Sequence, residues 1–226
     1  MIEYIFDKKI LVSKNTINYN PGTWTSSVYQ KETVEFFYGL IQEKSCVLDI
    51  GAQSGAFSLL AQYFPDAIFH CFEPDPVNYE CLIENISINN INNIITYKMA
   101  LSDKSKNGVL NICNSHRGLN TLGTNLLRFN ESDAQKIKIE IENVDNLFLN
   151  KKVDLIKIDT EGAEYDILLG AKNTIAKFKP KILLEYCDEN LKQFGKNIND
   201  LNELISSLGY IITWQQEDNI LIESKL

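Results

Sequence analysis

The chain has 226 residues, 44% of them hydrophobic and 23% charged, the size and make-up of one globular domain with a short extra arm or insertion. Its formal net charge of −8 argues against nucleic acid as a dedicated partner, since phosphate binding calls for a surplus of Lys and Arg. No apolar run approaches the roughly 20 residues of a membrane span, and Met1–Val12 mixes Glu3, Asp7, Lys8 and Lys9 into its apolar residues, unlike a signal peptide, so a cytoplasmic location is expected.

A first helix is predicted near Val28–Ile41, where Val34, Phe37, Tyr38 and Ile41 fall at i, i+3, i+4 and i+7. Cys46–Ile50 is a short apolar run that meets a glycine, the pattern of a buried parallel strand. Phe57, Leu60, Ala61 and Phe64 then form the inner stripe of a helix that Pro65 closes. Ala67–Phe72 reads as the second strand. Asp75-Pro76 opens the next helix, with Asp as cap and Pro at the first position, where its missing N–H costs nothing. Ile94–Met99 is the third strand. Strand alternating with helix implies right-handed crossovers and a parallel sheet.

Residues 104–144 break this rhythm and read as an insertion of short strands and loops. It resumes with a strand over Val153–Asp159, a helix over Glu164–Lys177 and a strand over Lys181–Tyr186. Leu201, Leu204, Ile205 and Leu208 mark a helix closed by Gly209, and Tyr210–Trp214 with Ile220–Glu223 form a hairpin. The expected fold is α/β: a doubly wound, mostly parallel seven-stranded sheet with a C-terminal antiparallel hairpin. An N-terminal arm and helix (1–44) precede one domain (45–226) carrying the insertion. The cysteines at 46, 71, 81, 113 and 187 show no C-x-x-C pair and read as reduced packing residues, as His70 reads as a structural residue inside a strand.

The first strand runs into Asp49-Ile-Gly51-Ala-Gln-Ser-Gly55, where glycines let a ligand approach the backbone at the carboxyl ends of parallel strands. Glu73, closing the second strand, suits the two hydroxyls of a ribose, so an adenosine-containing cofactor is expected. Gln53 stands where a pyrophosphate loop would place its second glycine, and acidic Asp49 favours a cationic ligand, so S-adenosylmethionine is preferred over NAD. An NAD-dependent oxidoreductase stays an alternative on the same fold.

These stretches, with Phe72-Glu-Pro-Asp75, Ala100-Leu-Ser-Asp103 and above all Leu155-Ile-Lys-Ile-Asp-Thr-Glu-Gly-Ala-Glu164, resemble the FkbM-type methyltransferases over roughly Trp24–Tyr186. The resemblance implies a class I methyltransferase fold, S-adenosylmethionine as donor, and a sugar, glycan or natural-product hydroxyl as acceptor. It places Asp49, Gly51, Gln53 and Gly55 on the methionine side, Glu73 and Pro74 at the ribose, and Ser102 and Asp103 beside the adenine.

In that fold Asp159, Thr160 and Glu161 lie across the cleft from Gly51. An alcohol acceptor needs a group within reach to take its proton. Asp159 is the first candidate, Glu161 the second and His116 the third. Arg117, Asn120 and Glu185 suit a polyhydroxylated acceptor. Asp159, Glu161 and Glu185 also form an oxygen set that a divalent cation would accept, although no spacing compels a metal. Lys157 pairs one of these acids from below or points to solvent. A methyltransferase acting on an amine or nucleic acid would share the donor, but such enzymes commonly carry an Asn/Asp-Pro-Pro-aromatic run where this chain has Asp159-Thr-Glu-Gly162.

Overall fold

The computed structural model describes residues 2–5, 8–19, 31–124 and 126–225. Strands β1 (Ile2–Ile5) and β2 (Lys8–Leu11) form a small antiparallel pair, followed by helices α1 (Lys14–Tyr19) and α2 (Lys31–Leu40). The helix expected from Val28 is described from Lys31 onward; 28–30 lie outside the described residues.

The main sheet holds β3 (Cys46–Ile50), β4 (Ile68–Phe72), β5 (Ile94–Tyr97), β9 (Leu155–Ile158), β10 (Lys181–Glu185), β11 (Tyr210–Gln216) and β12 (Asn219–Ser224). Its order is β11-β12-β10-β9-β3-β4-β5. Strands β10, β9, β3, β4 and β5 run parallel, and β12 is antiparallel to both β10 and β11. This is the doubly wound, seven-stranded sheet ending in an antiparallel hairpin. The order reverses between β3 and β9, so their carboxyl ends open a crevice, the usual ligand position in such sheets.

Alternation along the strands splits the core in two. Leu48, Ile50, Ile156 and Ile158 pack on one face with helices α5 (Glu164–Gly170), α6 (Lys172–Phe178) and α8 (Ile198–Ser207). Val47, Phe69 and Leu155 pack on the other with Ile10, Val34 and Phe37, so the N-terminal segment shares the domain's core. On that second face Asp49 and Lys157 stand side by side in the β3–β9 register, both buried. A buried ammonium and carboxylate cost heavily in an apolar layer unless each serves the other.

Three stretches differ from expectation. The helix expected at Phe57–Phe64 is a 3-10 helix, Ser58–Tyr63, with Ser58, Leu59, Leu60 and Ala61 all buried. The helix expected over Glu164–Lys177 breaks at Ala171 into α5 and α6; Gly170 packs against the Ser102 carbonyl where no side chain fits. The insertion is more regular than expected. Strands β7 (Lys106–Cys113) and β8 (Ala134–Glu142) pair along the whole of β7, and β6 (Ala100–Leu101) joins β8. Ile137, Ile139 and Ile141 alternate with charged residues there, a period of two.

Turns and caps follow the sequence. Asp75 caps α3 (Pro76–Ile88) by accepting from Val77 N. The Asn cluster makes the turn to β5: Asn90 is left-handed, and the Asn93 amide donates to the carbonyls of Ala61, Phe64 and Ala67. No helix among the described residues is long and apolar enough to cross a membrane.

Candidate active site

A cleft opens at the carboxyl ends of β3, β4 and β9. Gly51, Gln53, Glu73, Pro74, Lys157, Asp159 and Glu161 all line it.

On the nucleoside side, Gly51 has φ +82°, and a β-carbon there would collide with the Asp159 carbonyl, so β3 and β9 can converge only at a glycine. The Gly51 and Ala52 amides both donate to Phe72 O at 3.0 Å, tying the turn to β4. Glu73 is 5% exposed; its two oxygens accept from Gln53 N and Asp75 N, each at 2.8 Å. Burial pushes its carboxyl up to about 8, against the pull of the Asp75 amide and with the Asp75 charge reinforcing the rise. Met99, Ala100 and Leu101 supply an apolar wall. Ser102 and Asp103 lie outside this lining: Ser102 Oγ donates to Asp103, which pairs with Lys104 and Lys106. Gly55 is set back against Leu82 and Leu59.

Asp49 sits beneath the cleft. It accepts from Ser58 Oγ at 2.5 Å, and its other oxygen is 3.4 Å from the Lys157 ammonium. The same ammonium is 3.5 Å from Asp159, donates to Gly51 O at 3.2 Å and lies 4.6 Å over the Phe57 ring. Lys157 thus lies under the cleft and pairs both acids. Burial alone would lower its pKa; Asp159 and Asp49 outweigh that and raise it.

The insertion crosses the mouth. Arg117 and Asn120 line the cleft, but their side chains bind Asp75 at 2.6 and 2.8 Å. They therefore sit beside Asp75, at the start of α3, rather than beside the acids after β9. His116 is exposed and outside the lining. Further along the strap, Thr121 Oγ1 donates to Glu161 O at 2.9 Å and Thr124 N to Gln193 O.

The far side is acidic. Glu161 is left-handed at φ +56°, with its carbonyl held by Thr121 and Gln193. Asn190, in helix α7 (Asp188–Lys192), donates to both Glu161 and Glu185 at 2.9 and 2.8 Å. Arg128 reaches over from the insertion, 2.8 Å from Asn190 and 4.0 Å from Glu161. The second oxygen of Glu185 is buried and has no hydrogen-bond partner among the described residues. Burial, then the Asp159 charge, pushes Glu161 up to about 8, and burial with Glu161 and Asp159 raises Glu185 well above the carboxylate range. Asp159, Glu161 and Glu185 each offer an oxygen within 4.8 Å of the others, an all-oxygen set fit for a hard divalent cation. Glu164 stands behind them, accepting from Thr160 N and Oγ1 and from Gly162 N, which fixes the turn carrying the acids.

Sequence reasoning missed Arg128, Asn190 and the strap's Thr121. Asn190 belongs to a five-residue helix and the other two to irregular insertion, so no periodicity pointed to them.

The cleft fits an adenosyl sulfonium: a buried acid at the end of β4, an apolar wall, and cations (Lys157 and Arg117) already engaged with carboxylates rather than open to a pyrophosphate. Fold and cleft together define a nucleoside-binding α/β protein of the class I methyltransferase type. The model of the methyltransferase FkbM domain matches residues 49–212, and the chain belongs to that family; it is a methyltransferase. Methyltransferase 1 of Beauveria bassiana (strain ARSEF 2860) is 21% identical over 195 residues, spanning 78% of this chain and 76% of the relative. The 2-O-methyltransferase NoeI of Sinorhizobium fredii (strain NBRC 101917 / NGR234) is 24% identical over 196 residues, 79% of each chain. Among solved structures, methyltransferase FkbM from Methylobacillus flagellatus KT matches with a TM-score of 0.54 and 19% identity. The match covers 82% of this chain and 45% of that one, so this chain spans less than half of that protein. The Streptococcus mutans protein SMU.1697c, solved in complex with SAH, matches with a TM-score of 0.52 and 10% identity over 86% of this chain and 97% of the other. At such identities the solved structures speak for the fold.

Proposed function

We propose that this methyltransferase transfers the methyl group of S-adenosylmethionine to a hydroxyl of a sugar, glycan or natural product. The observation that carries the reading is the pair of acids, Asp159 and Glu161, lining the cleft across from the Gly51 turn. The name of NoeI, a 2-O-methyltransferase, supports the same acceptor chemistry.

The bound donor supplies an electrophilic methyl on a sulfonium. The chain supplies alignment, exclusion of water and a place for the proton. Gly51, Gln53, Glu73 and Pro74 hold the donor, with Glu73 receiving the ribose hydroxyls beside its two amide donors. Asp49 acts through Lys157 and the Gly51 turn, and Gly55, Ser102 and Asp103 shape the wall from behind. Asp159 takes the acceptor's proton as its oxygen attacks in line with the breaking carbon–sulfur bond. Glu161 is the second candidate, and exposed His116 the third. Glu185 and Glu161 accept further acceptor hydroxyls, while Arg117 and Asn120 close the strap over the donor. A second reading is favoured by the three ligand oxygens within 4.8 Å: a divalent cation on Asp159, Glu161 and Glu185 that acidifies the acceptor hydroxyl.

Calorimetry with S-adenosylhomocysteine and NAD, then labelled methyl transfer to a hydroxyl library with and without chelator, tests all of this. Binding of NAD alone, or label appearing only in amines, would overturn the hydroxyl reading. Loss of transfer with chelator selects the cation.

A further inference from the structure

Lys157 is the buried group whose contacts reach furthest. It is 4% exposed in a strand whose other positions are Leu155, Ile156 and Ile158. An ammonium there is dehydrated, and a lysine kept only to fill space would be replaced by an apolar residue at little cost. Its partners lie on three different parts of the site. Asp49 is deep in β3, the Gly51 carbonyl belongs to the donor turn, and Asp159 leads the acidic turn. Beside Asp159 N→Ile50 O at 3.1 Å, this ammonium ties the two turns together through a side chain. Two carboxylates meet one ammonium, so the floor of the cleft keeps an excess of negative charge where a sulfonium would lie between the Gly51 turn and Asp159.

We propose that Lys157 is a positioning residue for the donor: it fixes the Gly51 turn against Asp159 and sets the charge that faces the donor's sulfur. The proposal rests on the reading of the cleft as an S-adenosylmethionine site. Its plain competitor is that Lys157 only neutralises buried Asp49.

Three variants separate the two: Asp49→Asn, Lys157→Met and the double Asp49→Asn/Lys157→Met. Each is measured by thermal unfolding and by calorimetry with S-adenosylmethionine (cationic at sulfur) and S-adenosylhomocysteine (neutral at sulfur), at about pH 8.5 so that freed carboxyls stay ionised. Lys157→Met should lose melting temperature, because buried Asp49 and the partly exposed Asp159 lose their cation, and should shift its preference at least about fivefold toward the sulfonium ligand. Asp49→Asn, which keeps an acceptor for Ser58, should shift it the opposite way. The double variant should regain most of the melting temperature and yet bind both ligands roughly tenfold more weakly, since the Gly51 carbonyl still lacks its donor. Where Lys157→Met fails to fold, the double variant and Asp49→Asn carry the test. Parent-like affinity for both ligands in the double variant overturns the proposal and leaves neutralisation alone. If the parent binds neither ligand, the cofactor reading falls and takes the donor role of Lys157 with it, whereas weak binding confined to the double variant leaves that reading intact.

Discussion

The two halves of the cleft treat their carboxylates in opposite ways. On the nucleoside half, Glu73 receives an amide on each oxygen, and Asp75 receives Val77 N, Arg117 and Asn120. On the acid half, Asp159, Glu161 and Glu185 crowd within 4.8 Å, share one Asn190 amide group between two of them, and leave a buried Glu185 oxygen without a hydrogen-bond partner among the described residues. The first half is built to present a finished surface to a ligand that is always the same. The second is short of donors and of positive charge, and a hydroxyl-rich acceptor or a cation supplies both. Donor binding should therefore respond to single hydrogen bonds, and turnover to charge.

The largest effect is expected on the acid half. Asp159→Asn keeps size while removing the basic carboxylate, and kcat should fall by about 10²–10⁴ if Asp159 takes the proton, with S-adenosylhomocysteine affinity little changed. The residual rate should climb with pH as the acceptor ionises unaided. Near-normal turnover would move the role to Glu161, and activity restored by added Mg²⁺ or Mn²⁺ would point to the cation instead.

Next comes the nucleoside half. If Glu73 receives the ribose hydroxyls as proposed, Glu73→Ala should weaken S-adenosylhomocysteine by about 1.5–3 kcal/mol, because those hydroxyls and two backbone amides lose their acceptor together. The carboxyl is pushed up to about 8 by burial, and hydroxyl donors prefer its ionised form, so parental affinity should rise with pH through that region and the Ala variant should not follow. A flat parental profile in calorimetry would mean that the Gln53 and Asp75 amides keep Glu73 ionised throughout.

How far each half was legible follows from how each is encoded. The nucleoside half lies on strand ends joined by short turns, and glycine, acid and Asp-Pro cap mark those turns in the sequence itself. Gly51 and Glu73 meet because β3 and β4 pair in register, which the apolar runs imply. The acid half was legible as far as Asp159, Glu161 and Glu185, since the first two follow β9 and the third ends the neighbouring β10. What completes it was not: Asn190 and Arg128 come from a five-residue helix and an irregular loop, and their meeting depends on how the insertion folds back. Lys157 was left undecided because strand alternation fixes a face, not whether that face is apolar at the strand's end. The insertion was under-read where Ile137, Ile139 and Ile141 alternate with charged residues, a period-two strand signal that stood in the sequence.

A smaller effect, on stability, sharpens the contrast in charge. Glu161, raised to about 8, and Glu185, raised well above the carboxylate range by burial and its acidic neighbours, hold protons in the folded chain that the unfolded chain releases near the ordinary value of 4.5. Their contribution to stability is whole below that value and is lost as pH climbs, toward 8 for Glu161. Melting temperature should thus drop between about pH 5.5 and 8.5, and Glu185→Gln, which still accepts from Asn190, should flatten the drop and add about 1–2 kcal/mol at the alkaline end. Identical slopes in parent and variant would show that a cation or the Arg128 guanidinium already settles the cluster's charge.

The smallest effect is expected where the insertion joins the two halves. Arg117 is mostly buried and lies 2.6 Å from Asp75, while Thr121, four residues on, holds the Glu161 carbonyl. One strap therefore touches Asp75 at one end and the acidic turn at the other. Arg117→Ala leaves Asp75 with Val77 N and Asn120, so the loss should stay near 1 kcal/mol, about fivefold in S-adenosylhomocysteine affinity, rather than the larger cost of a carboxylate stranded without partners. Two contacts on the same oxygen make the strap tolerant of a single change, and Arg117→Ala/Asn120→Ala should cost more than the two single variants added together, because the second removal is the one that leaves the Asp75 oxygen bare. If the single variant instead leaves donor affinity untouched and raises the acceptor's KM, then Arg117 turns from Asp75 to the acceptor during catalysis. The strap would then belong to the acid half, and the boundary between the two halves would run through Asp75 rather than through the insertion.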